Sequence, residues 1–100
     1  MRYNISKITL KNRVTIKPES VVSLEVNEQV DIPLIKGIDK MSWGNFYIRK
    51  SIARKGVLQA CHTPFHQGFN GYPTIVVRND SNVDIELLAG EEIGSLWIWS

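Results

Sequence analysis

The sequence predicts an all-β fold, a small barrel or sandwich, on three observations. Apolar and polar residues alternate with period two, the spacing that turns one strand face to a core and the other to water. β-Branched and aromatic residues fill many short runs, with turn-forming residues about every eight to twelve positions. No stretch sustains a helical period for three turns.

Taken in order, residues 7–10 and 13–16 are the first β-rich runs, followed by the turn Lys17-Pro18-Glu19-Ser20. Val22, Leu24 and Val26 then alternate with Ser23 and Glu25. Pro33, Gly37 and Gly44 break the chain before the run at 45–48. Residues 50–55 suit one short helical turn, with Gly56 beyond it and a strand run at 57–60. Gly68 and Gly71 bound a hairpin-like stretch ahead of the run at 74–78. The turn Asn79-Asp80-Ser81-Asn82 follows, and then Val83, Ile85 and Leu87 alternate with Asp84 and Glu86. Ala89-Gly90 precedes a last strand at 93–99, which leaves no C-terminal arm after it in these 100 residues. No repeat, low-complexity tract or linker divides the chain, so residues 1–100 read as one domain.

Composition narrows the chemistry. Twelve Lys and Arg against ten Asp and Glu give a net charge of +2, too mild to imply nucleic acid. The cations also cluster in one loop rather than along a groove, which argues further against a nucleic-acid partner. The single cysteine, Cys61, rules out an internal disulfide framework and fits a reducing compartment. No long apolar run is present, so no signal peptide or membrane span is expected, and a cytoplasmic location is the default.

Several enzyme classes fall away. The sequence has no Gly-rich phosphate loop ending in Lys-Ser or Lys-Thr and no dinucleotide fingerprint. One cysteine cannot supply the Cys-x-x-Cys pair of zinc deaminases. Cys61, His62 and His66 match no common metal-site spacing, so no metal site is expected there.

Two clusters remain. Arg49-Lys50-Ser51-Ile52-Ala53-Arg54-Lys55-Gly56 sets four cations and a hydroxyl beside a tight turn. Guanidinium forks match phosphate oxygens and Ser adds a neutral donor. On this octet alone, a solvated charged loop is the simpler account. Phe65 to Pro73 places two glycines around an aromatic, a hairpin whose backbone can approach a flat ligand. Phe69 could stack on a base there or fill the core at a hairpin end.

Together these clusters resemble the dUTPase and dCTP-deaminase superfamily. The octet 49–56 is similar to the family's Arg-Ser-Ser-Leu-Ala-Arg-x-Gly segment. His66-Gln67-Gly68-Phe69-Asn70-Gly71 occupies the place of its Asp-x-x-(Tyr or Trp)-x-Gly hairpin, and a β-run then ends in Asn79. Gly90-Glu91-Glu92-Ile93-Gly94-Ser95-Leu96 resembles Gly-x-x-Ile-(Ala or Gly)-Gln-Leu. Upstream, the stretch from Ile16-Lys17-Pro18 through Ile32-Pro33 is similar to the strand pair preceding the Arg-Ser-Ser segment. The order holds from Arg13 to Trp99, four motifs in register.

The resemblance implies a jelly-roll-like, β-clip barrel that assembles as a homotrimer, with nucleotide sites between subunits. Arg49, Ser51 and Arg54 would lie at the phosphates, Lys50 would either block the phosphate path or add to it, and Ser95 would stand where the family's phosphate-holding Gln does. Phe69 would close over the base or sugar, with His66, Gln67 and the backbone from Gly68 to Gly71 at the base edge. No cofactor is implied beyond the Mg2+ that would accompany a nucleoside triphosphate.

The departures bear on catalysis. The dUTPase hairpin Asp, which orients the attacking water, is His66, and the deaminase acid–base Glu falls on Val76. Val cannot move a proton, which argues against deamination of that kind. The first Ser of the deaminase motif is Lys50, and neither the dUTPase N-terminal Asp motif nor its glycine-rich arm is recognisable. A non-catalytic nucleotide binder that sequesters or senses its ligand is the first expectation, a form suited to a compact genome such as a phage's. A structural or protein-binding trimer with a vestigial cleft is the second. Hydrolysis with His66 as base is the third. Trp97 and Trp99 share one strand face by period, as a subunit or partner contact would need.

Overall fold

Short alternating runs leave each strand with a single apolar face, so the strands must pair and stack to cover those faces. The computed structural model describes residues 3–31, 43–60 and 70–99. The hairpin residues His66, Gln67, Gly68 and Phe69, the cluster Cys61 and His62, and the Ile32-Pro33 stretch lie outside the described residues.

Ten strands and one helical turn make up the described chain. Strand β1 is Tyr3–Thr9, β2 is Val14–Ile16 and β3 is Val21–Leu24. They are followed by β4 at Val30–Asp31, β5 at Trp43–Ile48, the turn α1 at Lys50–Ala53 and β6 at Val57–Gln59. The rest is β7 at Asn70–Gly71, β8 at Ile75–Asn79, β9 at Ile85–Leu87 and β10 at Glu92–Trp99. All ladders are antiparallel, in the orders β1-β10-β5, β2-β9, β3-β8-β6 and β4-β7. Leu10 links the pieces. It bridges to Val26, accepts from the Gly90 amide at 2.7 Å and donates to the Glu91 carbonyl at 2.9 Å.

The core draws mostly on one residue parity of each strand; on β10 the parity changes between Ile93 and Leu96, where the β1–β10 register shifts between Ile8 and Thr9. Ile8, Leu10, Ile16, Leu24, Val26, Phe46, Ile52, Val57, Ile75, Val77, Ile85, Leu87, Ile93 and Leu96 are all buried. On β8, Ile75, Val77 and Asn79 turn inward while Arg78 is exposed, the alternation expected of a one-sided sheet. Asn79 is the one polar residue among the buried side chains described, and it is fully paired. Its Nδ2 donates to the carbonyls of Ile16 and Val83, each at 2.8 Å, and its Oδ1 accepts from Ser81 N at 2.9 Å and Ser81 Oγ at 2.6 Å. That side chain ties the ends of β2 and β8 to the turn before β9.

Two readings shift at the edges. Val83 does not share the strand of Ile85 and Leu87; it is 61% exposed in a bend, where its carbonyl accepts from Asn79. The β4–β7 ladder, two residues on each side, carries no alternation of its own. Gly94 explains how the long sheet closes on the core. A Cβ there would collide with the Tyr47 carbonyl and the Phe46 ring, so only glycine lets β5 and β10 sit this close.

The principal extents are 49 × 20 × 18 Å and the radius of gyration is 14.6 Å, against about 13 Å for a round domain of this length. The β1–β10–β5 sheet contains the longest strands. Its register places Lys7, Ser95 and Tyr47 on one row and Ile5, Trp97 and Asn45 on the next. Tyr47, 49% exposed, meets half-buried Trp97 edge to face with centroids 6.1 Å apart. No helix among the described residues is long and apolar enough to cross a membrane.

Candidate functional site

The cationic octet folds around one large apolar residue, Ile52, set among cations. Arg49 is extended (φ −67°, ψ 139°), and the chain then makes one helical turn. The Ile52 and Ala53 amides both donate to the Arg49 carbonyl at 3.0 Å, and the Arg54 amide donates to the Lys50 carbonyl at 3.0 Å. Ile52 is the peg: it is 2% exposed and anchors the turn in the core. Gly56 ends the turn at φ 101°, a conformation that L side chains resist, and a Cβ there would sit 3.1 Å from Ser81 Cβ.

With Ile52 turned in, the polar residues are turned out. Lys50, Ser51, Arg54 and Lys55 are exposed, and Lys50 and Arg54, four apart, share a helical face. Among the described residues, Lys50, Ser51 and Arg54 make no side-chain hydrogen bond or ion pair. Arg49 and Lys55 do have partners. Arg49 Nη1 lies 3.1 Å from Glu92 Oε2, and Lys55 Nζ lies 3.3 Å from Glu91 Oε2. The Arg49 amide also donates to the Ile93 carbonyl at 2.8 Å, which fastens the turn to the start of β10.

The structure therefore brings Arg49, Lys50, Ser51 and Arg54 together on one outward turn. Ser95 lies on the neighbouring strand, opposite Tyr47, and its Oγ accepts from Trp97 Nε1 at 3.2 Å. Gly71 belongs to a different ladder, opposite Val30. Val76 is half-buried on β8, opposite Ser23, and has no group able to carry a proton. Glu91 and Glu92 escaped the sequence reading, which treated them as spacer positions. The visible signal was a pair of acids immediately before a strand.

A groove of about 640 Å3 opens between the end of β3 and the segment leading into β8. Lys11, Ser23, Glu25, Asn27, Tyr72 and Thr74 contribute to its walls. Glu25 Oε2 accepts from Asn12 Nδ2 at 3.1 Å, and Tyr72 is 63% exposed. The Asn70 side chain accepts from Gln29 Nε2 at 3.0 Å, linking β7 to the chain before β4. Among the described residues, no group of three His, Cys, Asp or Glu side chains could hold a metal ion.

No protein-family model matches the sequence. No curated protein matches it either. Solved structures do match in fold. The native dUTPase of EIAV superposes with a TM-score of 0.75 at 17% identity, covering 96% of this chain and 84% of that one. The dUTPase of Staphylococcus bacteriophage 80alpha gives 0.73 at 15% identity, covering 99% and 92%. A mutant dUTPase from phage phi11 of S. aureus, whose structure concerns the coordination of a structural Mg(II) ion, gives 0.73 at 11% identity, covering 100% and 93%. The chain has the dUTPase-like β fold.

Proposed function

We propose that this dUTPase-fold chain is a non-catalytic nucleotide-binding protein, a homotrimer that sequesters or senses a nucleoside phosphate. One observation carries the reading: in a fold of this type, the Arg49–Arg54 turn is pegged by Ile52 and presents Lys50, Ser51 and Arg54 outward beside Arg49. Guanidinium, ammonium and hydroxyl donors on one short rigid turn suit a chain of phosphate oxygens. Ser95 flanks the phosphates from β10, and the base and sugar rest against the hairpin residues His66, Gln67, Gly68, Phe69 and Gly71. A divalent cation arrives with a triphosphate rather than residing in the protein.

The absence of turnover follows from side-chain chemistry. Val76 stands where a deaminase needs an acid–base group, and His66 stands where a dUTPase places its Asp. The exposed Tyr47 against Trp97 on the β1–β10–β5 sheet supports a trimer contact on its outer face.

Replacing Arg49 with Ala tests the assignment. Titration with dUTP and other nucleoside phosphates should show binding by the parent chain and its loss in the variant; unchanged affinity sinks the assignment. Turnover of dUTP should not exceed that of a His66→Ala control. A clear excess would favour the hydrolase reading instead.

A further inference from the structure

The Arg49 guanidinium is not waiting in open water: a carboxylate from the same chain already holds it. Glu92 opens β10 directly beside the residue whose carbonyl receives the Arg49 amide, so the ion pair spans a hydrogen-bonded rung. Its side chain is 27% exposed and that of Arg49 52%, a pair partly withdrawn from solvent. The turn ahead of it is rigid. The Glu91 amide donates to the Leu88 carbonyl at 3.1 Å, Glu91 Oε1 accepts from the Leu88 amide at 3.1 Å, and the Glu91 carbonyl accepts from Leu10. Glu91 in turn engages Lys55. Two fixed carboxylates thus face a segment with four cations, and each neutralises one of them.

We infer that Glu92 is a built-in counter-ion, an autoinhibitory carboxylate that a ligand phosphate must displace from Arg49. The inference rests on the phosphate-binding reading of the Arg49–Arg54 turn. The contact is single, Nη1 to one oxygen, and a guanidinium has five donors in a planar fork. A phosphate therefore approaches an Arg49 whose remaining edge is open, then competes with Glu92 for the occupied one. It meets two costs: the lost ion pair and repulsion from a carboxylate a few ångströms away. Lys50 and Arg54, which have no carboxylate partner among the described residues, make the first contacts, and Arg49 is captured only when Glu92 is displaced.

The probe is inorganic tripolyphosphate, titrated calorimetrically into the full chain, Glu92→Gln, Arg49→Ala and the double variant. Glu92→Gln keeps the side-chain shape and removes its charge. It should bind about two- to fivefold tighter than the parent, the size expected for releasing a partly exposed ion pair. That gain should vanish when Arg49 is also Ala. A Glu92→Gln affinity equal to or below the parent's, with binding still lost in Arg49→Ala, would overturn the counter-ion role and leave the nucleotide reading standing. The same gain in the Arg49→Ala background would also overturn it, because the effect would then be general charge repulsion. If neither the parent nor Glu92→Gln binds tripolyphosphate, both readings fail. Should Glu92→Gln not fold by circular dichroism, Glu92→Asp serves instead: it withdraws the carboxylate by one methylene, and the same gain and the same dependence on Arg49 are required.

Discussion

Asn79→Asp is the substitution whose cost the structure fixes most closely. The two side chains have nearly the same volume, so no cavity forms, and the cost is that of lost hydrogen bonds together with burial of a carboxyl group at a site with no exposure. Oδ1 continues to accept from Ser81 N and Oγ, at 2.9 and 2.6 Å in the parent. The Nδ2 donor disappears, and an oxygen is set against the carbonyls of Ile16 and Val83, each 2.8 Å away. One buried and one part-buried hydrogen bond are lost, worth about 1 kcal/mol each, and the buried Ile16 carbonyl left without that donor adds about 1–3 kcal/mol, while the Val83 carbonyl keeps Ser81 Oγ at 3.0 Å. The expected loss is therefore about 3–5 kcal/mol, a large share of the ~5–15 kcal/mol by which small domains are stable. Urea unfolding followed by tryptophan fluorescence, at fixed protein concentration, should give a lower midpoint with little change in slope. In a thermal scan the same loss corresponds to a fall of about 12 °C or more. A loss below about 1 kcal/mol would refute the reasoning, because it would mean that water or a shifted backbone satisfies those carbonyls in the variant.

Two further substitutions probe the frame of the site. Gly94→Ala should destabilise by about 1–3 kcal/mol through overpacking, since the new methyl meets the Phe46 ring and the Tyr47 carbonyl; an unchanged urea midpoint would contradict the close approach of β5 and β10. Ile52→Ala should cost about 2–4 kcal/mol and weaken tripolyphosphate binding in the fraction that remains folded, because the turn loses its peg in the core. Full affinity at the parent's stability would show that the turn is held some other way.

Most strands were legible because their cause is local. The alternation of Val22 and Leu24, and of Ile85 and Leu87, survives as inward positions on β3 and β9, and Val26 is buried just past β3 through its bridge to Leu10. The one helical turn was legible from residues 50–55, where an apolar Ile52 sits among cations ahead of a glycine. What escaped depends on partners distant in sequence. Val30–Asp31 is a strand only because Asn70–Gly71 lies beside it, and two residues have no period to read. Val83 fits the alternation by composition, yet the demand of Asn79 for its carbonyl pulls it into a bend. Glu92 looked like a spacer because Arg49 is far away along the chain, and only the β5–β10 ladder brings the two together. Gly94 likewise shows its reason only once Phe46 lies across from it. The cationic turn was thus readable as a cluster, while the acids that pair with it were not.

The central claim is that this chain holds an intact nucleotide in an assembly of three. Native mass spectrometry of the purified protein, mixed with ribo-, deoxyribo- and cyclic nucleotides, tests it directly. The expected result is a trimer carrying unhydrolysed nucleotide, lost on replacement of Arg49 with Ala. An empty trimer across the whole panel would contradict the binding claim and favour a protein-interaction role, and a monomer would contradict the assembly as well.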